Sequence, residues 1–280
     1  MEQRKKIAPM DLQKFKAEGK KFSMLTAYDY PMALLEDRAG IEVILVGDSL
    51  GMTVLGYDST VPVTMEEMIH HTKAVVRGAK IPLIIGDMPF MSYNTSERDA
   101  IYNAGRLMKE GGCDAIKLEG GVTVKDTVRA IVRAGIPVMG HIGLTPQTIS
   151  MLGGFKVQGK DAKGAQKIID DALQLEEAGA FTVLMEAVPA PITKMVTERL
   201  KVPTIGIGAG PDCDGQVLVV HDMLGLFDRF TPKFAKRYVN LTEYIMKAFA
   251  EFKDDIDKGA FPAEQHCFRI DEKELSKVKG

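Results

Sequence analysis

The sequence predicts an α/β fold, a (βα)8 TIM barrel that forms a single domain over residues 1–280. Eight apolar stretches, most of them separated by helical patterns, have the length and residue types of buried parallel strands. Each strand–helix–strand step is a right-handed crossover, and eight such steps close a barrel without an exposed edge. A doubly wound open sheet is the alternative, but it would leave edge strands that no charged residues protect.

Composition excludes several classes of function. The formal net charge of −2 gives no basic field for binding nucleic acid. No apolar run is long enough to predict a membrane span, and the N-terminus lacks the apolar segment of a secretory signal. The three cysteines are far apart, which predicts a reducing compartment and no zinc site. We therefore expect a protein that binds neither membrane nor nucleic acid.

The first half of the chain alternates strands and helices with clear boundary signals. A polar helix over residues 10–19 precedes the barrel. Pro31 and Gly40 mark the start and end of the next helix. Thr64 and Glu67 form a capping-box pattern at the start of the helix after the second strand. Strands are predicted at 22–27, 42–47, 82–87 and 115–119, and a long loop is predicted at 51–63.

The second half continues the alternation but contains the longest apparent loop. Strands are predicted at 137–141, 181–186, 202–207 and 217–221, with helices at 122–134, 162–178 and 190–200. The glycine-rich loop over 143–159 follows the fifth strand, and a loop of this length is typical of a functional lid or of a mobile surface segment. From about residue 240 the pattern predicts a polar helical tail.

Ionisable residues stand at or just past the carboxyl ends of strands two to six. They are Asp48, Asp87, Lys117, Glu119, His141 and Glu186. In a barrel these strand ends converge on one rim, which is where ligands bind. Any one aspartate is equally well explained as part of a turn. Their repetition over five successive strands predicts one shared site.

The chemistry of this set indicates a hard cation. Asp48, Asp87 and Glu119 supply only oxygen ligands, which suits Mg²⁺ completed by water and substrate. Lys117 and Glu119 are two residues apart in a strand and therefore face the same side. Lys117 is placed either to receive a substrate carboxylate or to form a salt bridge with Glu119. His141 is equally well explained as a hydrogen-bond donor to substrate and as a satisfied core histidine.

Six motifs, in order along the chain, resemble those of the ketopantoate hydroxymethyltransferase family. They lie at 46–51 (VGDSLG), 87–90 (DMPF), 117–121 (KLEGG), 140–147 (GHIGLTPQ), 153–159 (GGFKVQG) and 206–210 (GIGAG). The resemblance extends from about residue 10 to residue 268. It implies a cytoplasmic (βα)8 barrel enzyme that assembles as a homo-oligomer, a decamer of two stacked pentamers.

The resemblance also implies a reaction and roles for residues. The expected reaction transfers a one-carbon unit from 5,10-methylenetetrahydrofolate to 3-methyl-2-oxobutanoate, giving 2-dehydropantoate for pantothenate and coenzyme A synthesis. One Mg²⁺ per subunit would be bound by Asp48 and Asp87, with Glu119 as a third carboxylate. The expected substrate-binding residues are Asp48, Ser49, Asp87, Lys117 and His141, and the expected general base is Glu186.

Two other functions are compatible with such a site. A magnesium-dependent lyase or mutase of the isocitrate lyase group would act on related 2-oxo acids. It would be expected to carry a reactive cysteine in a mobile loop, and residues 141–180 contain none. A barrel that only binds a metal or an oxo acid would need no general base, so Glu186 argues against it.

Overall fold

The eight strands form a closed parallel barrel in which each strand pairs with its neighbours in chain order. This confirms the predicted fold class. The computed structural model describes residues 4–227 and 229–279. Residues 1–3, 228 and 280 of the predicted 1–280 domain lie outside the described residues. The strands are β1 (Phe22–Thr26), β2 (Val43–Val46), β3 (Leu83–Asp87), β4 (Ala115–Glu119), β5 (Val138–Gly143), β6 (Thr182–Glu186), β7 (Thr204–Ile207) and β8 (Gly215–Leu218).

Twelve α-helices are assigned among the described residues, and most of them surround the barrel. They are α1 (Pro9–Ala17), α2 (Tyr30–Ala39), α3 (Leu50–Thr53), α4 (Met65–Gly78), α5 (Glu97–Arg106), α6 (Lys125–Arg133), α7 (Ile149–Leu152), α8 (Ala162–Ala178), α9 (Ala190–Arg199), α10 (Val220–Leu224), α11 (Leu241–Asp257) and α12 (Glu272–Leu275). A π-helical turn at Leu107–Gly111 extends α5, and 3₁₀ turns occur at Val122–Val124, Pro146–Thr148 and Glu264–His266. In the part of the chain that the structure describes, no helix has both the length and the apolarity needed to cross a bilayer.

Alternation along the strands separates two apolar layers. In β2, Val43 and Leu45 belong to the cluster that fills the barrel, whereas Ile44 and Val46 pack in the layer beneath the helices. Leu12 of α1 is fully buried and joins the inner cluster together with Phe22 at the start of β1. The predicted N-terminal helix therefore closes the amino-terminal end of the barrel and leaves the opposite rim for ligands.

The predicted boundary signals act as expected. The Thr64 hydroxyl accepts a hydrogen bond from the Glu67 backbone N–H at 3.2 Å, and the Glu67 carboxylate accepts one from the Thr64 N–H at 2.7 Å. Gly40 ends α2 with a φ of 89°, a left-handed conformation that favours glycine. The helical tail begins with α11 at Leu241, close to the predicted position.

The prediction of the eighth strand at 217–221 was wrong in position. The strand is Gly215–Leu218, and the following residues form α10. Gly215 gives no apolar signal, but a side chain there would lie 2.3 Å from the ring of Phe22, so the close packing requires glycine. The apolar residue Val220 begins a helix instead, and its backbone N–H donates to the Thr26 hydroxyl at 3.0 Å.

The two long loops contain more regular structure than predicted. The predicted loop at 51–63 begins within α3, and the predicted loop at 143–159 contains a 3₁₀ turn and α7. These helices have four residues each, too few for a hydrophobic period to be recognised in the sequence.

Candidate active site

The predicted ionisable residues meet at the carboxyl-terminal rim of the barrel. Asp87, Lys117, Glu119, His141 and Glu186 continue the inward-facing alternation of the inner cluster beyond Ile85, Ala115, Met139 and Leu184. Asp48 follows β2 by one turn residue. All of these side chains are buried except that of Glu186, which keeps 15% of its surface exposed. The site thus has one carboxylate in contact with solvent at a rim of otherwise buried charges.

Lys117 forms its main ion pair with Asp87. Its ammonium group lies 2.8 and 2.7 Å from the two Asp87 oxygens, and 3.5 Å from Glu119 Oε1. The strand register explains why Lys117 pairs with Asp87 more closely than with Glu119, because Asp87 and Lys117 are directly paired residues of β3 and β4. Burial lowers the pKa of Lys117, but the charges of Asp87 and Glu119 outweigh burial and raise it. Lys117 therefore stays charged.

Asp48 is the rim carboxylate that forms no ion pair with a cationic side chain of the described residues. Its backbone N–H donates to Asp87 Oδ2 at 3.1 Å, so the two acidic groups are adjacent. Burial and the Asp87 charge raise the pKa of Asp48 well above its usual range. Within the described residues, the ion pairs of this site involve Asp87, Glu119 and Glu186 but not Asp48. A bound cation beside Asp48 and Asp87 would relieve this unbalanced charge.

His141 bridges two carboxylates. Its Nδ1 lies 3.2 Å from Glu119 Oε1, and its Nε2 lies 3.3 Å from Glu186 Oε2. Burial lowers the pKa of His141, but the contacts with Glu119 and Glu186 outweigh burial and raise it to about 9. The two carboxylates thus favour the charged form of His141, which contacts Glu186 from below. Burial raises the pKa of Glu119, but Lys117 and His141 together lower it below its usual value.

The backbone around Glu186 is closely packed. Ala187 adopts a φ of 50°, which is uncommon for a residue with a side chain. Gly143 at the end of β5 has a φ of 91°, and a side chain there would lie 2.3 Å from the Glu186 carbonyl oxygen. Only glycine allows β5 to approach the Glu186 backbone this closely, so the backbone position of Glu186 depends on Gly143.

Comparison with known proteins decides the family. The sequence profile described as ketopantoate hydroxymethyltransferase matches residues 6–264. The chain belongs to the ketopantoate hydroxymethyltransferase family. It is 60% identical over 269 residues to the 3-methyl-2-oxobutanoate hydroxymethyltransferase of Moorella thermoacetica, covering 96% of this chain and all of that protein. It is 55% identical to the protein of the same name from Carboxydothermus hydrogenoformans, covering 98% and 99% of the two chains. The resemblance of its motifs and the prediction of an enzyme are confirmed.

Solved structures share the fold of this ketopantoate hydroxymethyltransferase family member. A phosphonopyruvate hydrolase in complex with oxalate and Mg²⁺ superposes with a TM-score of 0.61 at 15% identity, with 93% of each chain covered. A 2,3-dimethylmalate lyase of the PEP mutase/isocitrate lyase superfamily superposes with a TM-score of 0.60 at 13% identity, covering 96% of this chain and 93% of its own. At such identities the likeness concerns the barrel fold alone.

The donor set of this family member fits a hard cation held by two protein carboxylates. Within residues 4–227 and 229–279, no group of three or more His, Cys, Asp or Glu side chains is arranged as a common metal site. Mg²⁺ typically uses one or two carboxylates and completes its shell with water and substrate, so Asp48 and Asp87 suffice. Glu119 is instead in contact with Lys117 and His141. Its role as a third ligand stays a prediction.

Two contacts of this rim were not anticipated. The predicted substrate residue Ser49 is half-buried, and its hydroxyl lies 2.9 Å from the hydroxyl of Tyr28. Gln147 is buried and donates from Nε2 to Asp48 Oδ2 at 2.9 Å. Neither Tyr28 nor Gln147 is a charged strand-end residue. Gln147 does end the family motif at 140–147, and that position was the one available signal.

Proposed function

We propose that this chain transfers a hydroxymethyl unit from 5,10-methylenetetrahydrofolate to 3-methyl-2-oxobutanoate in the cytoplasm, giving 2-dehydropantoate for pantothenate biosynthesis. The observation that carries the proposal is that one rim holds both a pair of carboxylates suited to a cation and a separate carboxylate suited to act as a base. Asp48 and Asp87 are adjacent, buried carboxylates whose pKa values are raised, mainly by burial, and a bound cation would favour their charged forms. The partly exposed Glu186 ends β6, which stands across the barrel from β2 and β3. A family match over nearly the whole chain supports the same substrates.

Each side chain has a distinct task in the proposed reaction. Bound Mg²⁺ would supply positive charge that stabilises the enolate of the oxo acid. Lys117 and Ser49 bind and orient the oxo acid. Glu186 accepts the proton from C3 of the substrate, and His141, whose Nε2 lies 3.3 Å from Glu186 Oε2, holds its carboxylate in place. C3 then forms a bond to the one-carbon unit, both C–N bonds to tetrahydrofolate break, and one water molecule supplies the new hydroxyl group. The proton held by Glu186 and the second proton of the water go to the two nitrogens of the departing tetrahydrofolate.

Isotope labelling tests the proposed reaction. We expect the chain, supplied with Mg²⁺, 3-methyl-2-oxobutanoate and 5,10-methylenetetrahydrofolate labelled with ¹³C in the methylene group, to give 2-dehydropantoate labelled at the hydroxymethyl carbon. NMR detects this product directly. A lyase of the isocitrate lyase group would instead cleave a carbon–carbon bond of its substrate. Cleavage products without labelled 2-dehydropantoate would contradict the transferase function.

We also propose that copies of the chain associate through α11, toward the decamer implied by the family. Ile245, Phe249, Phe252 and Ile256 recur at helical spacing, so they form one apolar face, and they are 37–64% exposed. No residue of α11 is buried. An apolar groove of about 580 Å³ lies between β1, α2, β8 and α10. Contact between α11 of one copy and this groove of another would cover both surfaces.

We expect Phe249→Glu to shift the protein toward monomers, because the substitution places a charge at the centre of the exposed apolar face. Light scattering coupled to size-exclusion chromatography measures the mass of the assembly. Lys247→Gln is the matched control, since Lys247 lies on the opposite side of α11, where it pairs with Glu251. An unchanged mass for Phe249→Glu would contradict association through α11.

A further inference from the structure

Gln147, which the sequence did not predict as a site residue, forms hydrogen bonds with several residues of the rim. It lies in the 3₁₀ turn Pro146–Thr148 that follows β5, and its side chain is buried. Its Nε2 donates to Asp48 Oδ2 and to the Met88 carbonyl oxygen, both at 2.9 Å. Its Oε1 accepts from the Tyr93 hydroxyl at 2.6 Å. One amide thus connects the loops that follow β2 and β3.

The orientation of this amide is determined by its neighbours. The Met88 carbonyl oxygen can only accept a hydrogen bond, so the atom facing it is the NH₂ group of Gln147. With the NH₂ group placed in this way, Oε1 faces the Tyr93 hydroxyl and accepts its hydrogen bond. Both amide hydrogens of Gln147 are therefore used, and one of them is committed to Asp48.

Gln147 forms a hydrogen bond with only one of the two carboxylate oxygens of Asp48. Gln147 binds Oδ2, and among the hydrogen bonds of the described residues none reaches Asp48 Oδ1. A group that fixes one oxygen of a ligand and leaves the other free restricts the carboxylate to a single direction. The backbone N–H of Gln147 also donates to Glu119 Oε2 at 3.0 Å, so the same residue restrains a second carboxylate of the rim.

Gln147 also belongs to the glycine-rich segment 145–159, which is bound to the site at both ends. At its start, Gln147 contacts Asp48 and Glu119. Near its end, the backbone N–H of Gln158 donates to the carbonyl oxygen of Ala187, the residue after Glu186, at 2.9 Å. The Gln147 side chain therefore connects Asp48 directly to the start of this segment.

We propose that Gln147 is a positioning residue that holds Asp48 in the direction needed to bind Mg²⁺ and thereby links occupation of the site to the position of segment 145–159. The inference rests on the proposed function only in that it takes Asp48 as a metal ligand. Gln147 acts through Asp48 and contacts no reacting atom. It supplies the donor that a carboxylate ligand needs on its second oxygen.

Mg²⁺ titration by calorimetry tests the role of Gln147 without any measurement of turnover. Gln147→Met keeps the length of the side chain and removes both hydrogen-bonding groups. We expect about 10- to 100-fold weaker Mg²⁺ binding, the usual effect of removing the partner of a metal ligand. We also expect Mg²⁺ to slow amide hydrogen exchange over segment 145–159 in the unsubstituted chain but not in Gln147→Met. Gln166→Met, on the exposed surface of α8, is the matched control.

A second variant keeps the test decisive if Gln147→Met fails to fold. Tyr93→Phe removes the hydrogen-bond donor to Gln147 Oε1 and leaves the hydrogen bond from Gln147 Nε2 to Asp48 in place. We therefore expect about fivefold weaker Mg²⁺ binding, equivalent to the loss of one neutral hydrogen bond. Unchanged affinity in the folded variants, with normal binding by the unsubstituted chain, would overturn the role of Gln147 alone. Absence of Mg²⁺ binding by the unsubstituted chain would overturn the metal site of the proposed function as well.

Discussion

Glu186→Gln is expected to lower the rate of 2-dehydropantoate formation by about 10²- to 10⁴-fold, the usual contribution of a general base. Glutamine keeps the shape of the side chain and its contact with His141, whose Nε2 lies 3.3 Å from Glu186 Oε2. It has no carboxylate to take the proton from C3. Among the described residues no ion pair joins Glu186 directly to Asp48 or Asp87, so binding of Mg²⁺ and of the oxo acid is expected to change little.

Product formation by NMR and binding by calorimetry separate these two effects of Glu186→Gln. Glu177→Gln is the matched control, because Glu177 is an exposed residue of α8. Loss of oxo-acid or Mg²⁺ binding together with turnover would contradict the assignment of Glu186 as a base. It would indicate a ligand or a structural residue instead.

Asp87→Ala is expected to abolish Mg²⁺ binding and oxo-acid binding together. The substitution removes one of the two carboxylates that fit the cation. It also removes the main partner of Lys117, whose ammonium group lies 2.7 Å from Asp87 and is buried. Loss of one member of a buried ion pair destabilises a protein by about 3–5 kcal/mol. We therefore expect a lower melting temperature in addition to the loss of binding.

The stability effect makes a folding control necessary for Asp87→Ala. Cooperative thermal unfolding shows that the variant still folds at the temperature of the binding measurement. Asp170→Ala on the exposed face of α8 is the matched control and is expected to change neither property. Oxo-acid binding of normal affinity in the absence of metal would contradict a site in which cation and substrate bind together.

Much of the fold follows from local patterns. The β-branched run of β2, the caps at Thr64 and Gly40, and the alternation of strands with helices predict the barrel. The eighth strand was misplaced because Gly215 carries no hydrophobic signal, and its role depends on the Phe22 ring from β1. The position of this strand depends on a contact between residues far apart in the chain, and a local sequence pattern carries no information about such contacts.

The sequence predicts those parts of the site that consist of charged residues. Charged residues at successive strand ends identified the rim, but their partners depend on register. The pairing of Lys117 with Asp87 follows from the alignment of β3 with β4. The bridge from Glu119 through His141 to Glu186 depends on the registers of β4, β5 and β6. His141 is paired with Glu119, and Glu186 is aligned with Gly143, two residues beyond His141. Gln147 carries no charge, so apart from its place at the end of the motif at 140–147, only its hydrogen bonds distinguish it from other buried polar residues.

Hydrogen exchange at C3 of 3-methyl-2-oxobutanoate in D₂O, followed by NMR with Mg²⁺ and with a tetrahydrofolate analogue that cannot donate carbon, tests the central claim most directly. We predict that the C3 proton is replaced by deuterium, that exchange requires Mg²⁺, and that Glu186→Gln abolishes it. Exchange of this kind would establish enolate formation with Glu186 as its base. Absence of exchange in the unsubstituted chain, or unchanged exchange in Glu186→Gln, would contradict the account.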